Sequence, residues 1–291
     1  MDATVAVLLT IVTAATPLLL AAIGELVTER SGVLNLGVEG MMVMGAVAGF
    51  GAALLSGNPY VGVFAAVLAG MAMALLFGLL TLTLVTNQVA TGLSLTLLGI
   101  GLSGLLGEAF VGVPGVKLPK WENIDILIPA SFVLVAVVSY VLFRTKIGLV
   151  IRAVGDSHAS AHALGYRVIL VRYACVLFGG ACSGLAGGYL SLAYTPQWVE
   201  GMTAGRGWIA LALVVFSSWL PWRVVVGAYF FGAIYILALT AQTFAFGIPM
   251  QFLLSLPYLA TILALVLISA SRRLSRSNAP ACLGQPFVPD R

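Results

Sequence analysis

Residues 144–172 read RTKIGLVIRAVGDSHASAHALGYRVILVR. This stretch holds five of the 14 basic residues, both histidines and one aspartate, and long apolar runs with almost no charge lie on either side. A polar, basic island in such surroundings is a water-facing loop between membrane spans. Its centre reads either as a plain connector or as a short surface helix. In the second case Asp156 or Ser157 caps the N-terminus, Ala159, Ala161, Ala163 and Leu164 propagate the helix, and Gly165 closes it. A helix of about eight residues cannot cross a bilayer, which takes roughly 20, so it would lie along the membrane surface.

The surrounding chain sets the class. Its 291 residues are 61% hydrophobic and 8% charged, with a mean hydropathy of +1.10. Soluble domains carry about 25% charged residues, so this is an all-α integral membrane protein. Apolar segments fall near 4–23, 39–56, 60–85, 89–107, 126–143, 168–195, 207–220, 224–246 and 253–271. That makes about nine candidate spans in one transmembrane domain, residues 1–274. Segments 39–56 and 207–220 are short and glycine-rich at their starts, the pattern of broken or re-entrant spans. Residues 275–291, rich in Ser, Pro and Gly, are expected to form a disordered tail. The N-terminal apolar run lacks a basic leader region and is expected to be retained as a span. Membrane lipid is the solvent partner, and net charge +4 follows topology rather than pointing to nucleic acid.

Charge placement orients the spans. With 144–172 inside and the spans alternating, the inner side collects 11 Lys and Arg and the outer side three, Lys117, Lys120 and Arg206. The N-terminus is then outside, the C-terminus is cytoplasmic, and loop 108–125 is external. The spans also fall into two groups, about 1–110 and 168–274, with the loop 144–167 between them. Each group has a long span, a charged glycine break, a short span and two more spans. Segment five separates the groups, so they enter the membrane with opposite polarity. This pattern predicts an inverted-topology repeat with the solute path near the breaks.

The first break, ELVTERSGVLNLGVEGMM (25–42), carries Asn35 and Glu39, and the second, TPQWVEGMTAGRGWIALAL (195–213), carries Arg206. Asn35 and Glu39 either cap the following helix and complement its positive end or line a polar cavity. Arg206 either snorkels to the outer interface or pairs with Glu200 or a solute group. Asn87, Gln88 and Thr91 follow the third span, and Gln242, Thr243 and Gln251 stand at the matching place of the second half. Each of these can be a simple helix cap. Taken as path residues, uncharged amides suit a neutral, hydrogen-bonding solute. Trp198 and Trp208 fit an interfacial belt or a stacking platform.

Several functions are excluded or unsupported. The chain has no GxxxxGK[ST], HExxH or GxSxG motif. Cys175, Cys182 and Cys282 show no CxxC spacing and read as packing residues. His158 and His162 share a helix face but lack a third metal ligand, so no metal is expected. Ion-coupled carriage would need intramembrane acids, for which Glu39 and Glu108 are the candidates.

Three stretches, GVLNLGVEGMMVMGA (32–46), RTKIGLVIRAVGDSHASAHALGYRV (144–168) and EGMTAGRGWIALALVVFSSWLPW (200–222), resemble permease subunits of ATP-binding-cassette importers. The branch is the one handling branched-chain amino acids, ribose-type sugars and nucleosides, and the chain is most similar to its shorter nucleoside-type permease. The resemblance implies a type II importer-like fold in a bacterial cytoplasmic membrane. It implies that the 144–172 loop holds a coupling helix that docks on a cytoplasmic ATPase, with Arg152, Gly155, Asp156, Ser157, His158, Ala159, Ala161 and Gly165 in the contact. It further implies a second permease subunit in a heterodimer and an extracytoplasmic substrate-binding protein. No cofactor is expected on this chain, ATP and Mg being held by the ATPase. Purine nucleosides or related nucleobases are the expected solutes, with a sugar or branched-chain amino acid as the alternative. Two departures stand out. Ser217-Ser218 precede Trp219 where a glycine is common, and the chain begins at the first span without the leading helix of sugar-type relatives, which points away from a sugar.

Overall fold

A computed structural model describes residues 3–121, 124–243 and 278–288 and scattered positions between 252 and 266. Among the described residues the regular structure is helical apart from a two-residue ladder, β1 (Lys120–Trp121) with β2 (Ile124–Asp125). Among the described residues, seven helices are long and apolar enough to cross a membrane. They are α1 (Ala3–Arg30), α2 (Val38–Ser56), α3 (Pro59–Gly78), α4 (Gln88–Gly107), α5 (Leu127–Arg144), α8 (Val168–Tyr189) and α10 (Pro221–Thr243). Both α3 and α8 finish in a five-residue π turn, Leu79–Thr83 and Leu190–Tyr194. Of the nine expected spans, 207–220 is the 11-residue α9 (Arg206–Phe216), and 253–271 falls mostly outside the described residues.

The packing is layered around α2. Its apolar window is 72% buried, against 28% for α4 and 33% for α3, so α2 is central and α3 and α4 turn apolar surface outward. Small residues allow α2, α3 and α8 to converge. A Cβ at Gly45 would come 2.5 Å from the Gly184 Cα, and one at Gly184 would come 2.9 Å from the Gly70 Cα. With no hydrophobic drive between helices in lipid, such close backbone approach supplies the contact energy.

Loops gather at two ends. At one, the end of α1, the break 31–37, the α3–α4 turn and two short helices, α6 (Lys146–Asp156) and α7 (His158–Ala163), meet the C-terminal segment. Arg30, Arg144, Lys146, Arg152, Arg167 and Arg172 make this the basic end. At the opposite end the loop 111–118 pairs with 192–198 through the Val111–Trp198 and Pro114–Gln197 bridges and the bond from Leu118 N–H to Leu192 O, 3.0 Å. There burial raises the Asp125 carboxyl above its usual range, while the Lys120 ammonium at 3.6 Å and the Tyr189 hydroxyl pull it back down.

The structure adds to one expectation about this region and changes another. The short helix expected at the centre of the 144–172 island is α7, and a second helix, α6, precedes it: Asp156 ends α6, and Ser157 caps α7 by accepting from Ser160 N–H at 3.3 Å. Gly165, in the left-handed region at φ 88°, closes α7 as expected. Residues 278–288, expected within a disordered tail, are seated on the protein. Cys282 N–H donates to Gly155 O at 2.9 Å and Gly284 N–H to Gly32 O at 3.1 Å. Arg30 Nη1 and Arg172 Nη1 donate to the Asn278 and Gln285 carbonyls, both at 3.0 Å. Polar composition alone does not register such backbone partners.

Candidate functional site: the paired breaks and the basic end

Glu39 lies in the first turn of α2 and is 5% exposed. Its Oε1 accepts from the Thr203 hydroxyl at 2.6 Å and Gly205 N–H at 2.9 Å, and its Oε2 accepts from Gly207 N–H at 2.6 Å. The two breaks therefore meet, with the carboxylate of one closing the N-terminus of the helix that starts the other. A helix start leaves backbone N–H groups without partners and carries partial positive charge, and Glu39 satisfies both needs. Gly207 permits the approach, since a Cβ there would sit 2.6 Å from the Glu39 Cα. With 11 residues, α9 is about 16 Å long at 1.5 Å per residue, half of the roughly 30 Å hydrocarbon core.

The far end of α9 turns through Ser218 and Trp219, both left-handed at φ 51° and 57°. Non-glycine residues adopt this conformation at a cost, so a glycine would suit position 218, where this chain carries serine. Neighbours from α1 hold the turn. Arg30 donates to the Trp219 carbonyl from Nε and Nη2 at 3.1 and 2.8 Å, and Trp219 Nε1 donates to Glu29 Oε2 at 2.6 Å.

Arg206 is enclosed by the protein. It is 9% exposed, its guanidinium lies 5.5 Å from the Tyr194 ring centroid and 5.1 Å from that of Tyr235, and it donates to the Met202 carbonyl at 3.0 Å. Trp198, at 1% exposure, packs in a core with Val43, Val47 and Phe50. Asn35 is fully buried in the first break. Its Oδ1 accepts from Gly37 N–H at 2.9 Å, and its own N–H donates to Glu25 Oε1 at 3.2 Å.

Of the remaining path candidates, Gln88 borders the same break, accepting from Leu34 N–H at 2.8 Å. Asn87 caps α4 through Ala90 N–H at 3.0 Å, and the Thr91 hydroxyl pairs with that of Thr86 at 2.8 Å. Asn35, Glu39 and Gln88 thus flank one break, and Asn87 and Thr91 stand beside Gln88. Gln242 is in α10, with its side chain outside the described residues, as is Gln251. Glu25 and Glu29 are the buried acids of α1, and their signal in the sequence is an i, i+4 acidic pair closing an apolar run. Glu108 is exposed at the end of α4.

At the basic end Gly155 is buried against the end of α1; a Cβ there would overlap the Arg30 carbonyl and come 3.3 Å from Gly32 N. Ala161 is 2% exposed in a small core with Val154 and Val168. The Phe287 ring lies 5.2 and 5.4 Å from the imidazoles of His158 and His162. Burial, and then the Arg172 guanidinium 3.4 Å from Nδ1, hold His158 below its usual value. Arg152 lies over the Phe143 ring at 5.2 Å. Asp156, Ala159, Ser160, His162 and Ala163 face solvent. No group of three or more metal-ligating side chains occurs among the described residues.

The family model described as branched-chain amino acid transport system / permease component matches residues 7–271. The chain belongs to this permease family. A protein named as a glucose ABC transporter permease, from Haloferax volcanii, is 39% identical over 95% of each chain. A guanosine ABC transporter permease protein of Bacillus subtilis is 30% identical over 94% of this chain and 93% of its own length. A nucleoside ABC transporter permease protein of Lactococcus lactis is 28% identical over 94% and 93%. Among solved structures, an ABC transporter of metal-chelate type in an inward-facing conformation superposes with a TM-score of 0.52 at 16% identity, over 90% of this chain and 84% of that one. The chain is thus a multi-pass membrane permease subunit of an ABC transporter and not itself an enzyme. Such permease components work with an ATPase and a substrate-binding protein.

Proposed function

We propose that this permease serves an importer for neutral solutes that carry a sugar ring, purine nucleosides among them. The observation that carries the solute class is the environment of Glu39. A half-helix starting at membrane depth is where a transporter receives an anionic substrate group. Here the chain's own carboxylate occupies that start with three hydrogen bonds, and Arg206 is enclosed by two tyrosine rings. The carboxylate of an amino acid would find no receiver at this start, whereas a neutral solute needs none. The same saturation argues against Glu39 as the acid of an ion-coupled carrier. Nucleosides are favoured by the relatives at 30% and 28% identity. A free sugar is the second reading, favoured by the relative at 39%.

In this reading the basic end is cytoplasmic, as the distribution of Lys and Arg predicts, which puts the N-terminus outside and the C-terminus inside. A cavity of about 680 Å³ at the opposite end, walled by Lys117, Thr195, Gln197 and Trp198 among others, is then the entry mouth facing the binding protein. The two halves, related by inverted topology, rock about the paired breaks. A second permease subunit and lipid divide the exposed apolar faces of α3, α4 and α5 between them.

The accessible side of α6–α7, with Asp156, Ser157, His158, Ala159 and Gly165, docks on the ATPase, which holds ATP and Mg; of the other residues expected in that contact, Gly155 and Ala161 are buried inside the chain and Arg152 lies over Phe143, so they hold the docking surface in place from behind. Its contact with Arg30 and Gly32 carries ATP-driven movement to the first break. Ligand binding to the two states of the ATPase supplies the bias.

The test is uptake by proteoliposomes holding the full complex, with radiolabelled guanosine and D-glucose compared. ATP-dependent accumulation of either is expected. Accumulation that continues with a catalytically dead ATPase would refute the mechanism.

A further inference from the structure

A cavity of about 280 Å³ lies at the basic end between the α3–α4 turn and the C-terminal segment. Thr86, Asn87 and Gln88 form one wall, and Gly284 and Pro286 another. Its volume is at the small end of the roughly 300–1,000 Å³ of small-molecule sites, suited to a single ring or a fused pair.

The wall has a defined chemistry. Gln88 is 4% exposed, and its Oε1 accepts from Leu34 N–H at 2.8 Å. A backbone N–H requires the amide oxygen, so this bond settles which way round the amide lies. Nε2 is then directed away from Leu34, and it is buried with no hydrogen-bond partner in the protein. Native folds pair nearly all buried donors, and an exception calls for an explanation. Asn87 commits its Oδ1 to Ala90 N–H, which leaves its amide N–H₂ turned from the helix end. The Thr86 hydroxyl is engaged with Leu80 O at 2.9 Å and with Thr91. None of the lining residues is charged. The wall therefore offers amide donors to a neutral ligand.

We propose that this cavity is a release site for the transported solute, in which Gln88 Nε2 donates to a ring nitrogen, carbonyl or hydroxyl oxygen of a neutral ligand. It rests on the transport function proposed above and gives that function a named site at the exit. The C-terminal segment forms the outer wall and is joined to both moving parts. Gly284 N–H is bonded to Gly32 O and Cys282 N–H to Gly155 O, and Phe287 rests on the imidazoles of α7. Displacement of α6–α7 by the ATPase therefore shifts the wall and opens the cavity to the cytoplasm.

The experiment is trans-inhibition in inside-out vesicles holding the full complex. Guanosine or D-glucose is supplied on the cytoplasmic face, and the concentration that halves transport is read. Gln88→Met keeps the side-chain length and removes the donor. Pro286→Trp fills the cavity from the other wall and leaves the Gln88–Leu34 bond in place. Gln88→Met is expected to raise the half-inhibiting concentration roughly fivefold, the weight of one neutral hydrogen bond, and Pro286→Trp, which occupies the space of the ligand, by at least as much, with unfolding midpoints measured alongside. Wild-type inhibition in both folded variants overturns the proposal, Nε2 then being served by water. Loss in Gln88→Met alone, with Pro286→Trp unchanged, also overturns it, because the cavity then holds no ligand. Ala161→Trp separates the two levels: if it abolishes ATP-driven uptake while the Gln88 and Pro286 variants behave as wild type, the release site alone fails. Transport of neither solute by the wild-type complex overturns both.

Discussion

Replacing Glu39 with glutamine tests how the two breaks are held together. The carboxylate accepts three hydrogen bonds, from Thr203 and Gly205 at Oε1 and from Gly207 at Oε2. Glutamine retains one acceptor oxygen. With it facing Thr203 and Gly205, its amide N–H₂ points at Gly207 N–H, donor against donor. A buried N–H left unpaired costs about 1–3 kcal/mol. The two surviving bonds lose their charge assistance, and the α9 start loses a compensating negative charge worth about 0.3–1 kcal/mol or more when buried. Together the loss is about 3–5 kcal/mol. At about 2–4 °C per kcal/mol for a domain of comparable size, the unfolding midpoint in detergent falls by on the order of 10 °C. Glu39→Asp, too short to reach all three donors, falls by less, and Glu200→Gln, on an exposed loop residue, stays near wild type. A Glu39→Gln protein melting within about 2 °C of wild type, with normal uptake, would refute the closure of α9 by Glu39.

Gly155→Ala drives a Cβ into the Arg30 carbonyl, so α6 and the end of α1 separate at a cost of about 1–3 kcal/mol; ATP-driven uptake in proteoliposomes falls while membrane insertion is retained. Gly184→Leu places a branched side chain where α3 and α8 backbones touch, and the expected result is loss of the monodisperse peak in size-exclusion chromatography. His158 is held below its ordinary value of 6.5 by burial and by Arg172. Its contribution to stability is therefore present above about pH 6.5 and lost as pH falls through the lowered folded value. Thermal melts between pH 5 and 8 should show that slope in wild type and a flatter one in His158→Gln.

Much of this protein can be read without coordinates. The apolar runs place six of the seven long helices, their π turns included, to within about three residues and stop short of the charged end of α1, because a membrane span must satisfy its backbone internally and so must be a continuous helix. The caps of α7 were legible at Ser157 and Gly165, since capping is a local exchange between neighbouring groups. Glu39 and Arg206 stood out as charges beside glycines in apolar sequence, yet their roles did not follow. Whether a buried carboxylate meets a solute, a cation or a helix start depends on what lies 164 to 168 residues further along the chain. The Gly155 contact was hidden for the same reason: a glycine in a loop looks permissive until another backbone is found against it.

The sequence by itself determined the class, the seven long helices, the basic island and the family, because each is written in local composition, periodicity or motif. Tertiary structure decided what compensates the buried charges, where the short α9 starts, and that residues 278–288 sit against α6, α7 and the first break. Those outcomes depend on partners distant in sequence: an N–H from Gly207 for Glu39, two tyrosine rings for Arg206, and the Gly155 carbonyl for Cys282. The island at 144–172 shows both limits. Its polarity placed it in water, and only the packing of Gly155 on Arg30 joined it to the membrane core.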